Sequence, residues 1–168
     1  MSLSSDLLAQ ARSLAKNEPK KPKQASLRRA ISAAYYALFH LLTEEAANAM
    51  CAGTDSADLR VVMRRAFEHT SMKNAAKGFG AGSLAQVWQP LLAAPSLELQ
   101  RVATTFVDLQ QARHQADYDL SRRVNRDEAM DLVERVESAF KAWKSIRKTK
   151  EAKVFLTALL VHDRVSRR

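Results

Sequence analysis

Apolar residues recur every three or four positions along most of this chain, which is the spacing of one face of an α-helix. The strongest stripe lies in residues 24–50, where large side chains alternate with alanines. Breaks rich in proline, glycine or charge separate one stripe from the next. The pattern predicts helices over residues 3–16, 24–50, 57–76, 84–93, 96–120 and 152–165, and a further helix that Asn125 or Asp127 caps and whose apolar stripe runs from Met130 to Trp143.

The composition supports a purely helical interpretation. The chain has only four glycines and four prolines among its 168 residues, and good helix formers dominate the rest. A chain of this length forms one domain with a full core. We therefore predict a single all-α domain spanning residues 1–168, an up-and-down helical bundle with an additional, basic C-terminal helix at about residues 149–168.

Three of the four glycines lie in one short segment, KGFGAGS at residues 77–83. A glycine-rich loop before a helix can bind phosphate. This segment has neither the preceding strand nor the Gly-Lys-Ser/Thr ending of a nucleotide-binding loop. It is therefore predicted to be a flexible connector. The next segment, residues 84–93, is predicted to be anchored by Trp88.

The formal net charge is +9, which favours anionic partners. Residues 141–168 hold nine Lys/Arg against two Asp/Glu, and residues 16–29 hold six against one. Basic segments that meet in space can bind a nucleic-acid backbone. The alternative is that each segment is only a solvated helix face.

Cys51 is the only cysteine, so an internal disulfide is excluded and a reducing compartment is favoured. We expect it to be a buried free thiol. The N-terminal segment lacks the apolar run of a signal peptide, and the longest apolar run, residues 154–161, is too short to span a bilayer. These features predict a cytoplasmic protein without membrane association.

Metal and cofactor chemistry receive no support from the spacing of residues. The chain has one cysteine and four scattered histidines, which does not fit a zinc site. No glutamate is followed by a histidine three positions later, as a di-iron bundle requires. We therefore predict no metal site and no cofactor.

The densest polar chemistry lies near the end of the predicted helix 96–120. Arg113 and Asp117 are four positions apart and share a helix face, as do His114 and Tyr118. An apolar stripe upstream predicts a rigid support for these side chains. The alternative is that Arg113 and Asp117 form only a stabilising ion pair.

Three further residues are candidates for binding. Tyr36 and His40 lie four positions apart in the second predicted helix, and His69 lies in the third. The alternative for the aromatic residue is core packing. The alternative for each histidine is an ordinary core or surface position.

Four stretches of the chain resemble one known family. SLRRAISAAYYALFHLL (residues 26–42) and ARHQADYDL (residues 112–120) resemble the second-helix signature and the late-helix motif of HEPN domains, the higher eukaryotes and prokaryotes nucleotide-binding family. RRAFEHTSMK (residues 64–73) and EAKVFLTALLVHDR (residues 151–164) are similar to one subgroup of small stand-alone bacterial members. The resemblance implies a helical bundle that forms a homodimer.

The resemblance also implies a site, from which this chain departs. Ribonuclease members of the family combine an arginine, a polar neighbour and a histidine four to six positions after the arginine. Arg113 and His114 match the first two, but Asp117, Tyr118 and Asp119 occupy the positions of the histidine. Aspartate is ionised at neutral pH and tyrosine is then a poor base, so the usual proton-transfer group is missing.

The expected function is therefore a binding or accessory role in a nucleic-acid-linked system of the toxin–antitoxin or defence type. RNA or a nucleotide would be the ligand, and a nucleotidyltransferase-type protein a possible partner. One alternative is a divergent metal-independent endoribonuclease with Arg113 and His114 as its catalytic residues. Another is a protein-interaction module without a nucleic-acid role. The predicted binding residues are Tyr36, His40, His69, Asp117 and Tyr118.

Overall fold

The computed structural model describes residues 2–166, and within this range the chain is all α-helical. Seven helices follow one another as α1 (Leu3–Lys16), α2 (Gln24–Met50), α3 (Ala57–Arg65), α4 (His69–Gly80), α5 (Leu97–Tyr118), α6 (Arg126–Ile146) and α7 (Lys150–Val165). A short 3-10 turn at Thr54–Ser56 leads into α3. The all-α helical bundle predicted from the sequence is confirmed.

Helix α2 lies at the centre of the bundle. It packs against α1, α3, α5, α6 and α7. Its large buried residues, among them Leu27, Ile31 and Leu38, alternate with buried alanines, which let neighbouring helices approach closely. The buried apolar side chains form one contiguous cluster. A side chain on the outer face of α2 is therefore carried by a helix that five other helices contact.

The predicted third helix, residues 57–76, is wrong as a single element. The chain turns at residues 66–68, because Phe67 is buried in the core and Glu68 has an extended backbone. Helix α4 then begins at His69 and continues to Gly80, so the predicted flexible connector 77–83 starts inside a helix. Gly80 is required there, since a Cβ on it would lie 2.7 Å from Thr104 Oγ1 of α5.

The predicted helix 84–93 does not form; the segment is a series of turns. Trp88 is nevertheless its anchor, because the indole is buried and its Nε1 donates to His162 Nδ1 over 3.1 Å. Pro90 cannot donate a helical hydrogen bond, which limits regular structure here. Cys51 is half-buried rather than buried, since it lies at the end of α2.

The last two helices have side-chain caps. Asn125 Oδ1 accepts a hydrogen bond from Glu128 N over 2.8 Å, which selects Asn125 over Asp127 as the cap of α6. Thr149 Oγ1 accepts from Ala152 N at the start of α7. Helix α7 packs against α4 and α2. Arg167 and Arg168, the end of the predicted C-terminal helix, lie outside the described residues.

Candidate functional site

Arg113 extends from α5 across to the outer face of α2. Its Nη2 donates to Tyr36 Oη over 3.2 Å, and its Cζ lies 5.5 Å from the ring centroid of Tyr36 and 5.8 Å from that of Tyr35. Both distances are within the range of cation–π attraction. The Arg113 side chain is 19% exposed, so its guanidinium is fixed in place yet reaches the surface. We call the group around it the Arg113 cluster, which comprises Ser32, Tyr35, Tyr36, His69, Arg113 and Asp117.

Asp117 lies one helical turn after Arg113 and completes a polar link back to α2. Its Oδ2 is 2.7 Å from Arg113 Nε, and its Oδ1 accepts from Ser32 Oγ over 2.7 Å. The Arg113–Asp117 contact is a close ion pair rather than a directed hydrogen bond, because Arg113 Nε makes no hydrogen bond within residues 2–166. In the described structure the guanidinium thus makes a single hydrogen bond, to Tyr36.

His69 joins the cluster from the first residue of α4. Its Nδ1 is 2.5 Å from Tyr35 Oη, and its ring centroid is 4.5 Å from that of Phe39. Gln110 Nε2 of α5 donates to the backbone oxygen of His69 over 2.9 Å, which fixes the start of α4 against α5. The arrangement places an imidazole beside the arginine although the two residues are far apart in the sequence.

The protonation states in the cluster follow from burial. Burial, assisted by the charge of Arg113 and by His40, lowers the pKa of His69, so its imidazole is neutral at pH 7. Burial also raises the pKa of Tyr35 well above its usual range, so the phenol stays protonated and can donate to His69 Nδ1. Nε2 of His69 has no hydrogen-bond partner within residues 2–166 and is not fully enclosed.

His40 extends the site along α2. Its ring is stacked on Tyr36 with centroids 6.2 Å apart, and burial followed by the charge of Arg64 lowers its pKa. It also borders a cavity of about 430 Å³ between α2, α3 and the start of α1. The residues that line this cavity, called the His40 cavity below, are Leu3, Phe39, His40, Thr43, Glu44, Val61, Arg64 and Arg65.

His114 and Tyr118 form a separate pair on the outside of α5. Their ring centroids are 5.0 Å apart, and Tyr118 is 66% exposed. Within the described part of the chain, His114 makes no hydrogen bond to a member of the Arg113 cluster. The structure therefore brings Tyr36, His69 and Asp117 to Arg113, with His40 next to Tyr36, and leaves the His114–Tyr118 pair at the surface.

Sequence reasoning missed three residues that build the site. Ser32 lies four positions before Tyr36 and three before Tyr35, which is the neighbour of Tyr36, so helical spacing alone offered a signal for both residues. Arg28 gave no such signal. Its guanidinium donates to the backbone oxygens of Ala116 (2.7 Å), Asp119 (3.0 Å) and Arg122, which caps the end of α5 next to Asp117.

The two basic segments approach opposite ends of α6. Arg126, its first residue, donates to backbone oxygens of residues 15–19, which places the first segment there. Lys141 and Lys144 of the second segment lie in the last turns of the same helix. A helix of 21 residues is about 30 Å long, so α6 separates these two groups of charges.

None of the helices within residues 2–166 has the length and apolarity needed to cross a bilayer. Within the same range, no three His, Cys, Asp or Glu side chains are grouped so that they could hold a metal ion.

Comparisons of the chain with models of protein families, with curated proteins and with solved structures gave no match. The site must therefore be interpreted from its own chemistry. A fixed guanidinium beside the partly exposed ring of Tyr36 and two neutral histidines can bind an anion that carries an aromatic group.

Proposed function

We propose that this chain is a HEPN-like binding protein for RNA or nucleotides, in a nucleic-acid-linked system of the toxin–antitoxin or defence type, and that Arg113 binds a phosphate of the ligand. One observation carries the proposal. The guanidinium of Arg113 is held against two tyrosine rings while most of its N–H groups have no hydrogen-bond partner in residues 2–166.

The chemistry of the cluster suits a phosphate. A guanidinium presents a planar fork that matches two phosphate oxygens, and the rings of Tyr35 and Tyr36 fix its plane in advance. Tyr36 Oη accepts from Arg113, which leaves its own proton free to donate to the same phosphate. Asp117 contacts the Nε side and Tyr36 accepts from Nη2, so Nη1 and the second N–H of Nη2 remain for the ligand.

The aromatic side chains suit a nucleobase. Tyr36 and His40 are stacked and partly exposed at the edge of the cluster. Stacking of a base on an aromatic side chain contributes about 1–3 kcal/mol and tolerates any sequence. The net charge of +9 attracts a polyanion before these contacts form.

The test is equilibrium binding of a fluorescent single-stranded RNA to the wild type, to Arg113→Ala and to Lys144→Ala. Lys144 is an exposed cation at the far end of α6, so its loss measures the general effect of removing one charge. We expect Arg113→Ala to raise Kd about tenfold, the equivalent of about 1.4 kcal/mol, and Lys144→Ala to raise it far less. Equal small losses in both variants would refute a phosphate site at Arg113.

Salt dependence separates this proposal from a protein-interaction module. Contacts to phosphates release counterions, so the affinity for RNA should fall steeply and linearly on a logarithmic plot against salt. Loss of Arg113 should reduce that slope by about one contact. If the wild type binds no RNA at low salt, the nucleic-acid role is rejected and the interaction module becomes the better interpretation.

A second candidate, ribonuclease activity, is favoured by the open Nε2 of His69 next to Arg113. A neutral imidazole can accept the proton of a 2′-hydroxyl, which then attacks the phosphorus to give a 2′,3′-cyclic phosphate while water protonates the departing 5′-oxygen. His114, predicted from the sequence for this role, lies outside the Arg113 cluster on the exposed side of α5. RNA cleavage by wild type, His69→Ala and His114→Ala distinguishes the two, and no cleavage by the wild type removes this candidate.

The HEPN resemblance also implies a homodimer and a nucleotidyltransferase-type partner. Exposed apolar residues just after the cluster, Tyr118 at 66% and Leu120 at 87% exposure, support a subunit contact at the end of α5. Sedimentation of the wild type should give a dimer, and Leu120→Ser should shift it toward the monomer. A wild type that sediments as a monomer at all concentrations would exclude the dimer.

A further inference from the structure

The His40 cavity adjoins the Arg113 cluster and has the composition of a nucleotide site of its own. We infer that it is a second subsite, and that the ligand of this protein is therefore a single-stranded oligonucleotide of at least two nucleotides rather than a mononucleotide. The inference rests on the proposed binding function. It is carried by the charge of the cavity, by its apolar walls and by its contact with the cluster.

The charges of the cavity favour an anion. Arg64 and Arg65, in the last turn of α3, both line it, and neither forms an ion pair within residues 2–166. Arg60 of the same helix behaves differently, because it donates to the backbone oxygens of Cys51 and Gly53. Among residues 2–166, Glu44 is the one carboxylate that lines the cavity, so the two arginines outweigh it. Two cations that form no ion pair in the described part of the chain, at the rim of a cavity, are well placed for a phosphate.

The walls of the cavity favour a base. Phe39 and Val61 line it together with Leu3, and Val61 and Leu3 are 40% and 57% exposed, respectively. Its volume of about 430 Å³ lies within the range of cavities that bind small organic ligands. Apolar side chains exposed beside two arginines suit a ligand that is flat and apolar on its faces and charged at its edge. A nucleotide has this chemistry, whereas a free phosphate would make no use of the apolar wall.

A continuous line of contacts joins the cavity to the cluster. The Tyr36 ring is 5.5 Å from Arg113 Cζ on one side and 6.2 Å from the His40 ring on the other. His40 in turn belongs to the cavity wall. Neighbouring nucleotides are about 3.4 Å apart along a stacked strand, and farther apart in an extended one. A strand whose phosphate contacts Arg113 can therefore place its next nucleotide in the cavity, past Tyr36 and His40.

The experiment compares a mononucleotide with a dinucleotide RNA, by calorimetry, on three proteins. These are the wild type, Arg64→Ala/Arg65→Ala, and Lys141→Ala/Lys144→Ala, which removes the same charge from exposed positions of α6. We expect the wild type to bind the dinucleotide at least tenfold more tightly. We expect the arginine pair to abolish that advantage while the mononucleotide still binds at the Arg113 cluster, and the lysine pair to preserve the advantage. Equal losses in the two double variants would overturn the inference.

A second pair of variants tests the apolar wall without removing a cation. Val61→Glu places a carboxylate in the cavity, while Val87→Glu makes the same change at a position of matching exposure, 39% against 40%, that does not line it. We expect only Val61→Glu to weaken dinucleotide binding, by at least tenfold. If Val87→Glu weakens binding as much, the effect is general repulsion and the cavity is not a subsite.

The outcomes separate the two proposals. If RNA binds, depends on Arg113 and gains nothing from a second nucleotide, the second subsite is refuted while the proposed function stands. If neither ligand binds the wild type, both are refuted.

Discussion

Two arginines bridge the same pair of helices, and they do so in opposite ways. Arg28 extends from α2 to the end of α5 and donates to three backbone oxygens there, those of Ala116, Asp119 and Arg122. Arg113 extends from α5 back to α2 and, within the described part of the chain, makes one hydrogen bond, to Tyr36, together with an ion pair to Asp117.

The difference distinguishes an arginine that stabilises the fold from an arginine that can bind a ligand. Two acceptors of Arg28, the backbone oxygens of Ala116 and Asp119, lie at the end of α5, and the third, that of Arg122, lies in the loop after it, so Arg28 completes the fold as a cap. Arg113 is oriented by two aromatic rings and, within residues 2–166, donates only to the hydroxyl of Tyr36, so most of its N–H groups remain for a ligand. Arginine content or net charge would not have distinguished the two side chains.

The largest expected effect is the loss of stability on removing Arg28. Arg28→Ala leaves carbonyls at the end of α5 without partners, which should cost about 2–3 kcal/mol. Arg113→Ala loses cation–π contacts and an ion pair within one helix, which should cost about 1 kcal/mol. Chemical denaturation measures both. If Arg113→Ala is as destabilising as Arg28→Ala, the cluster is structural and the contrast between the two arginines fails.

The next largest expected effect is the loss of stability when the contact between Tyr35 and His69 is removed. Tyr35→Phe removes the hydroxyl that contacts His69 Nδ1 and should cost about 1 kcal/mol, because a buried polar partner is lost without a change of shape. Tyr118→Phe is the control, since its side chain is exposed and its hydroxyl makes no hydrogen bond within residues 2–166. Equal stability of wild type and Tyr35→Phe would mean that the Tyr35–His69 contact does not hold the start of α4.

Local rules predicted much of the fold. The apolar stripes gave α1 and α2 with the bounds that the structure has, because Pro19 and Pro22 interrupt the chain between them. The break between α3 and α4 was not predicted, because Phe67 fits the apolar stripe of one continuous helix. In the structure the chain turns at Phe67, and its side chain is buried in the core. The predicted helix 84–93 was wrong for a similar reason. Trp88 is held by its hydrogen bond to His162 of α7, and this contact does not require a helix around Trp88.

Sequence spacing predicted only those contacts of the site that lie within a single helix. Spacing within α5 paired Arg113 with Asp117, and spacing within α2 paired Tyr36 with His40. The contact of Tyr35 with His69 joins α2 to α4, and the contact of Arg113 with Tyr36 joins α5 to α2. Such contacts depend on how whole helices pack, which no local pattern encodes.

The smallest expected effect is a pH dependence confined to the cluster. The pKa values of His69 and His40 are lowered in the fold, mainly by burial, while an unfolded histidine titrates near about 6.5. The unfolded chain therefore binds protons first as the pH falls. Stability should be complete above about pH 6.5 and should decline as the pH drops toward the lowered folded values.

Denaturation of two histidine variants at several pH values tests whether His69 causes this pH dependence of stability. The charged groups that act on the two imidazoles are Arg113, Arg64 and Glu44. His40 also acts on His69, and Tyr35 contacts His69. Denaturation between pH 7 and pH 5 should show a shallower decline in His69→Gln than in the wild type, because one proton-binding difference is removed. His114→Gln is the control, since His114 lies outside the cluster at the surface. If the wild type and His69→Gln lose stability in parallel, burial of His69 does not control its protonation, and the neutral imidazole assigned to the cluster at pH 7 is wrong.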